Sequence, residues 1–128
     1  MADYIKEIFC VGIGGALGSV SRYLLEFPKV FANGMYNTVI VNIAGCLLIG
    51  VIYCILQRFE SSLYSRFLIT GLLGGFTTFS AFALHPILML KNGDAIVAII
   101  YVAATVIFGL LACGIGFWGT DRILKILA

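Results

Sequence analysis

Three stretches of this chain, 36–56, 67–90 and 95–119, run without a lysine, arginine, aspartate or glutamate. A fourth, 4–25, carries Lys6, Glu7 and Arg22 only towards its ends. Each is long enough to cross a bilayer, which takes about 20 predominantly apolar residues in a helix. Inside hydrocarbon every backbone N–H and C=O must be satisfied, and a single apolar segment does that as a helix. The expected fold is therefore an all-α membrane protein, with residues 1–128 forming one four-span transmembrane domain (spans about 4–25, 36–56, 67–90 and 95–119). Composition agrees: 62% of residues are hydrophobic, 11% are charged and the mean hydropathy is +1.11. A soluble domain carries roughly 25% charged residues, so this chain cannot coat a water-soluble globule.

The first apolar stretch is too long for the core of a cleaved leader and lacks a small-residue cleavage pattern, so it is expected to remain as the first span. The connectors are short and hold the charges. They open with Glu26-Phe27-Pro28-Lys29, which continues through Asn33-Gly34, and with Gln57-Arg58-Phe59-Glu60-Ser61-Ser62; the last is the tight turn Lys91-Asn92-Gly93-Asp94. Tyr36, Tyr64 and Trp118 fall near span ends, where interfacial aromatics collect. Four spans put both termini on one side. That side carries Lys6, Arg58, Arg66, Arg122 and Lys125, and the other Arg22, Lys29 and Lys91. Five cations against three is a shallow bias under the positive-inside rule, which predicts insertion in both orientations and antiparallel pairing. Gly14 and Gly18 on the first span, and Gly71 and Gly75 on the third, have the spacing that lets helix backbones approach closely in lipid. The spacing does not say which helix each approaches.

Several function classes drop out. A formal charge of +2 is too small to suggest nucleic-acid binding. Cys10, Cys46, Cys54 and Cys113 all lie in apolar segments with no metal-ligand spacing, and read as small hydrophobes. There is no Ser–His–acid set, phosphate loop or ligand cluster, so the chain is not expected to be an enzyme. No aspartate or glutamate lies mid-span, which disfavours proton-coupled transport and cation export.

The polar groups that do lie deep are specific. Gly74-Gly75-Phe76-Thr77-Thr78-Phe79-Ser80-Ala81-Phe82 interrupts an otherwise apolar span. Irregular backbone at that depth is tolerated only where it is buried in protein or lines a wet cavity. Thr38 and Asn42 lie one turn apart on span two. The Asn42 amide is either interhelical glue or a donor lining a path. Tyr101, Thr105 and Gly109 repeat the spacing on span four, as a packed seam or a polar track. Arg22 either snorkels to the interface or draws anions into a vestibule. His85 precedes Pro86 in span three and reads as an interface or kink residue. Phenylalanine edges carry partial positive charge, so Phe79 and Phe82 suit an anion path. A break in the span would also expose carbonyls able to hold Na⁺. These features indicate a pathway for a small anion or neutral solute.

The same residues resemble the Fluc (CrcB) family of small fluoride channels over essentially the whole chain. The likeness rests on Gly14-Gly15-Ala16-Leu17-Gly18 with Arg22-Tyr23, on Thr38 with Val41-Asn42-Ile43-Ala44-Gly45, on the segment from Gly74 to Phe82, and on Tyr101, Thr105 and Gly109. The resemblance implies a third helix broken near mid-membrane and an antiparallel dual-topology dimer with two pores. It implies a multi-pass protein of the plasma membrane that passively exports fluoride from the cytoplasm and relieves its toxicity. The implied pathway comprises Asn42, Phe79, Phe82, Thr38, Ser80, Tyr101 and Thr105, with Arg22 in the vestibule. A structural Na⁺ at the dimer interface would sit on the carbonyls of Gly74 and Thr77. The implied partners are fluoride, lipid, and a second copy of the chain or a paralogous subunit. The chain departs from the family at Ala83 and His85, where a polar residue and then a glutamate are usual. His85 is expected to make conduction sensitive to pH. Two other readings remain open: one half of an obligate heterodimeric channel, and a small multidrug-type exporter, for which Glu7 is the only candidate carboxylate.

Overall fold

The computed structural model describes residues 1–26, 34–59 and 62–127. The connectors expected around Phe27–Asn33 and at Glu60–Ser61 lie outside the described residues. Among the described residues, four helical segments are long and apolar enough to cross a membrane. The first is α1 (Ala2–Glu26) and the second α2 (Gly34–Leu56). The third segment, Ser62–Lys91, is composite. It starts as α3 (Ser62–Ser65), widens into a π-helical stretch (Arg66–Leu73), tightens into α4 (Gly74–Phe76) and resumes as α5 (Phe79–Lys91). The fourth is α6 (Ala95–Ile126). The four segments overlap the expected spans, and each extends beyond them, the third and fourth most. The third starts five residues before Phe67, and α6 runs seven residues past Gly119. That extension is charged and supports itself through an i,i+4 pair, Lys125 to Asp121 at 2.6 Å. At 1.5 Å per residue α6 is about 48 Å long, more than the roughly 30 Å of hydrocarbon, so its C-terminal turns reach past the bilayer or the helix tilts.

Two glycine seams hold the bundle. In the first, α1 packs on the π-helical stretch and α4. A Cβ on Gly14 would strike the backbone of Phe67 and Leu72, and one on Gly18 the backbone of Leu72 and Phe76. From the other side, a Cβ on Gly71 would strike Val11 and Gly14, and one on Gly75 would strike Gly15. The two spaced glycine pairs therefore meet each other within one chain. Ser19 Oγ adds a hydrogen bond across this seam to Gly75 C=O at 3.4 Å. In the second seam, α2 and α6 approach through Gly50, against the Cys113 and Phe117 backbone, and Gly116, against the Leu47 and Val51 backbone. This seam was not anticipated; its glycines are 66 positions apart and form no local motif.

Few apolar side chains are buried among the described residues; the cluster of Met89, Ala98 and Tyr101, packed by Met35, Val39 and Phe82, lies where α5 folds back on α6, while Val41, Cys54 and Leu73 are buried elsewhere. The hairpin between them turns at Gly93, whose φ of +88° is the left-handed conformation that glycine adopts without strain. Most of each span's apolar surface faces outward, including Ile13, Leu48, Ile99 and Leu110, as a lipid-facing bundle requires. At one end Arg66 Nε bonds Glu7 Oε2 at 3.2 Å, tying α1 to the third segment outside the apolar zone.

Gly18→Val is expected to lower stability by about 1–3 kcal/mol through overpacking against Leu72, read as a lower unfolding temperature in detergent. Gly12→Val, where nothing lies within 4 Å, is expected to leave that temperature unchanged. Equal effects of the two would contradict the seam.

Candidate functional site: a backbone break clamped by Asn42

Thr77 and Thr78 leave helical geometry, with φ/ψ of −81°/156° and −140°/106°. An uninterrupted helix would send the Thr78 N–H to the Gly74 carbonyl. It goes instead to Asn42 Oδ1 at 2.9 Å, and Asn42 Nδ2 donates to Thr78 C=O at 3.2 Å. One side chain on α2 thus satisfies both backbone groups of one residue in the break. The α5 end is capped by Thr78, whose Oγ1 accepts from Ala81 N–H at 3.3 Å and pairs with Ser80 Oγ at 3.2 Å. On the α4 side Thr77 N–H and Oγ1 both donate to Leu73 C=O, each at 3.0 Å. The adjacent glycines Gly74 and Gly75 remain helical. Gly75 serves the approach of α1, and the chain departs from the helix two residues later.

Beside the break lies an open-sided cavity of about 460 Å³ between α2, the third segment and α6. Asn42, Gly74, Thr77, Phe79, Phe82 and Thr105 line it, among apolar residues such as Ile49, Val106 and Leu110. Six of the expected site residues are therefore gathered around one space. Thr38, Ser80, Tyr101 and Arg22 are not in its lining. Thr38 is buried one turn from Asn42, with its hydroxyl donated to Gly34 C=O at 3.2 Å. Thr105 likewise donates to Tyr101 C=O at 2.7 Å. In this conformation both threonines give their hydroxyl hydrogens to their own helices, a common fate of helical threonine. Tyr101 stands behind Phe82, stacked at 5.9 Å and 23°, and Phe82 meets Phe79 at 5.5 Å and 45°. Phe79 is 80% exposed at the open side. Arg22 lies on α1 one turn before its end.

The chemistry available is specific. Among the described residues, the second amide hydrogen of Asn42 has no partner, and its side chain lines the cavity. The Gly74 carbonyl has lost its helical donor to Asn42. Among the described residues no group of three His, Cys, Asp or Glu side chains is placed to hold a metal. A cation at this site would therefore rest on backbone oxygens. Sequence reasoning missed two supports of the cavity, Gly45 and Cys46. A Cβ on Gly45 would overlap the Thr77 methyl, so this glycine leaves room for the break. The signal was available: Gly45 follows Asn42 by three positions, on the same helix face.

Fold and site together define a multi-pass helical membrane protein with an open-sided cavity where its third segment leaves helical geometry at Thr77 and Thr78. A model of the family described as CrcB-like protein, Camphor Resistance (CrcB), matches residues 9–117. The chain belongs to this CrcB family. It is 43% identical over 117 residues to the fluoride-specific ion channel FluC of Flavobacterium psychrophilum, an alignment covering 88% of this chain and 94% of the relative. The proteins of that name from Rhizobium etli and Phocaeicola vulgatus are 45% identical over 105 residues and 38% identical over 122 residues. Those alignments cover 78% and 91% of this chain, and 84% and 100% of the relatives.

Asn42→Asp would still accept from Thr78 N–H but would turn an oxygen against Thr78 C=O. Among the described residues Thr78 C=O would keep only the Phe82 N–H at 3.4 Å, and the expected loss is about 1–3 kcal/mol, from the lost Asn42 donor and the two oxygens brought face to face. Unchanged thermal stability of this variant would contradict the clamp.

Proposed function

We propose that this chain is a passive, fluoride-selective ion channel of the plasma membrane. It works by binding and release alone, with no enzymatic step. The carrying observation is the Asn42 amide, held rigid by Thr78 and keeping one N–H for the cavity. Fluoride is small and strongly hydrated, so a pore must replace its water with fixed donors. A fixed donor without full positive charge binds the ion strongly enough to admit it and weakly enough to release it. The ring edges of Phe79 and Phe82 add partial positive charge without competing hydrogen-bond acceptors. The relatives' shared name, fluoride-specific ion channel, points to the same ion.

The working unit in this reading is an antiparallel dimer with two pores. The cavity is open-sided, and at its opening the Asn42 donor and the Gly74 carbonyl would face hydrocarbon, at a cost of several kcal/mol per unsatisfied group. A second copy laid against this face would cover them. The shallow charge bias supports the inverted orientation that antiparallel pairing needs. The carbonyls of Gly74 and Thr77 suit a Na⁺ ion at that interface: both residues line the cavity and neither carbonyl keeps a helical donor. Bound there, the ion would supply positive charge and join the two breaks. In a cell the channel would let fluoride that entered as hydrofluoric acid leave the cytoplasm, which relieves its toxicity. The exporter reading lacks support, since Glu7 pairs with Arg66 at the bundle's end.

The test is fluoride efflux from liposomes carrying the purified chain alone, followed with a fluoride electrode, with chloride efflux as control. Fluoride efflux without chloride efflux is expected. Silence from a well-folded protein would overturn the self-sufficient channel. Phe82→Ile and Phe79→Ile are each expected to slow fluoride efflux roughly tenfold, the rate equivalent of losing about 1.4 kcal/mol of aromatic stabilisation at the barrier. Wild-type rates in both would remove the rings from the pathway.

A further inference from the structure

The motif that the site has not absorbed is His85. It lies on α5 one turn beyond Phe82, between the cavity and the hairpin at Lys91-Asn92-Gly93-Asp94. Its Nδ1 lies 3.1 Å from the Tyr101 hydroxyl on α6, with the two rings edge to face at 5.9 Å. Tyr101 in turn stacks on Phe82, and Phe82 lines the cavity. A continuous line of contacts therefore runs from the cavity through two phenylalanines to a hydroxyl held by an imidazole. Among the described residues the hydroxyl has no other hydrogen-bond partner.

We propose that His85 is a positioning residue for fluoride conduction, setting through its protonation whether the Tyr101 hydroxyl can donate to an anion leaving the Phe82 side of the cavity. The inference rests on the fluoride-channel reading. With the neutral ring protonated on Nε2, Nδ1 has only a lone pair, and the Tyr101 O–H is spent donating to it. When the ring takes up a proton, Nδ1 becomes a donor. The Tyr101 oxygen must then accept, and its hydrogen turns to another acceptor. On the exit side of Phe82 that acceptor is the anion. One proton thus releases a donor and places a positive charge beside the route, and both changes favour an anion.

Charged and titratable side chains on the elements packed around the imidazole are few. α5 carries one other charged side chain, Lys91, six residues on and about 9 Å along the axis. α2 carries none between Gly34 and Leu56; its titratable groups are Tyr36, Cys46, Tyr53 and Cys54. On α6 the charges are Asp121, Arg122 and Lys125 at the far end, and its titratable groups nearer the cavity are Tyr101 and Cys113. Asp94 precedes α6 at the hairpin. Imidazole is the side-chain type whose charge ordinarily changes between about pH 5 and 8, whereas phenol and thiol side chains ordinarily change charge at higher pH. The sign is favourable for the proposed role, since acid conditions are those in which fluoride enters cells as the neutral acid.

The test is fluoride current through the full-length protein in planar bilayers, with symmetrical fluoride and matched pH on both sides. The neutral acid carries no current, so its leakage does not enter the measurement. The wild-type current is expected to rise at least about twofold between pH ~8 and ~5.5, across the histidine range. His85→Gln is expected to conduct with a flat profile. Tyr101→Phe keeps the imidazole and loses the hydroxyl, and is also expected to be flat. A flat wild-type profile would overturn the proposal, and so would a wild-type profile retained in Tyr101→Phe, which would mean that charge alone acts. Absence of fluoride current at every pH would instead sink the channel reading itself, so the two failures are distinguishable.

Discussion

Everything in this bundle that is not ordinary helix packing depends on the reciprocal pair between the Asn42 amide and the backbone of Thr78. A helix that breaks inside a membrane frees backbone groups that hydrocarbon cannot satisfy. Here one side chain takes the freed N–H of Thr78 and also donates to its C=O, which accepts from Phe82 N–H as well. That arrangement fixes the break in register with α2, leaves the Gly74 carbonyl without its helical donor, and aims Phe79 and Phe82 from the start of a new helix at the same cavity. Because both ends of the amide are anchored, its remaining N–H has a set direction. A donor fixed before the ion arrives need not be ordered on binding, which is the advantage of preorganisation.

The two glycine seams make such a break affordable. One presses α1 onto the segment just before it, and the other presses α2 onto α6 behind it. Both work through backbone approach, which suits a bundle whose surroundings are as apolar as its interior and where side-chain burial gives no hydrophobic driving force. Buried apolar side chains are correspondingly few among the described residues, and they are spread over α2, the π-helical stretch and the α5–α6 hairpin. The helices therefore stay in position while the cavity side remains open to whatever covers it.

Much of this was legible in the sequence, for identifiable reasons. The four spans follow from charge-free runs, because lipid permits few other structures for them. The segment from Gly74 to Phe82 stood out because hydroxyls and glycines at that depth need a partner, and Asn42 because a neutral amide in a span must bond something. What periodicity could not separate was whether Asn42 is glue or pore donor; its two hydrogens allow both, one spent on Thr78 and one left over. The position of the break was misleading locally, since Gly74 and Gly75 look like the weak point and yet remain helical, while Thr77 and Thr78 extend. The π-helical stretch and the Gly50–Gly116 seam left no local signature, because each depends on what a distant helix presents. Tyr101 and Thr105 share a face as expected, but only the structure shows that Thr105 gives its hydrogen to its own helix and that Tyr101 answers to His85.

The most direct test of the central claim is to watch the two side-chain amide hydrogens of Asn42 by ¹⁵N-resolved NMR in detergent while fluoride is titrated in, with the signal assigned by its loss in Asn42→Ser. One hydrogen is bound to Thr78 and the other faces the cavity, so fluoride should move one resonance strongly downfield and leave its partner nearly still. Movement of neither would remove Asn42 from the ion's path, and equal movement of both would mean that the amide is not clamped to the break.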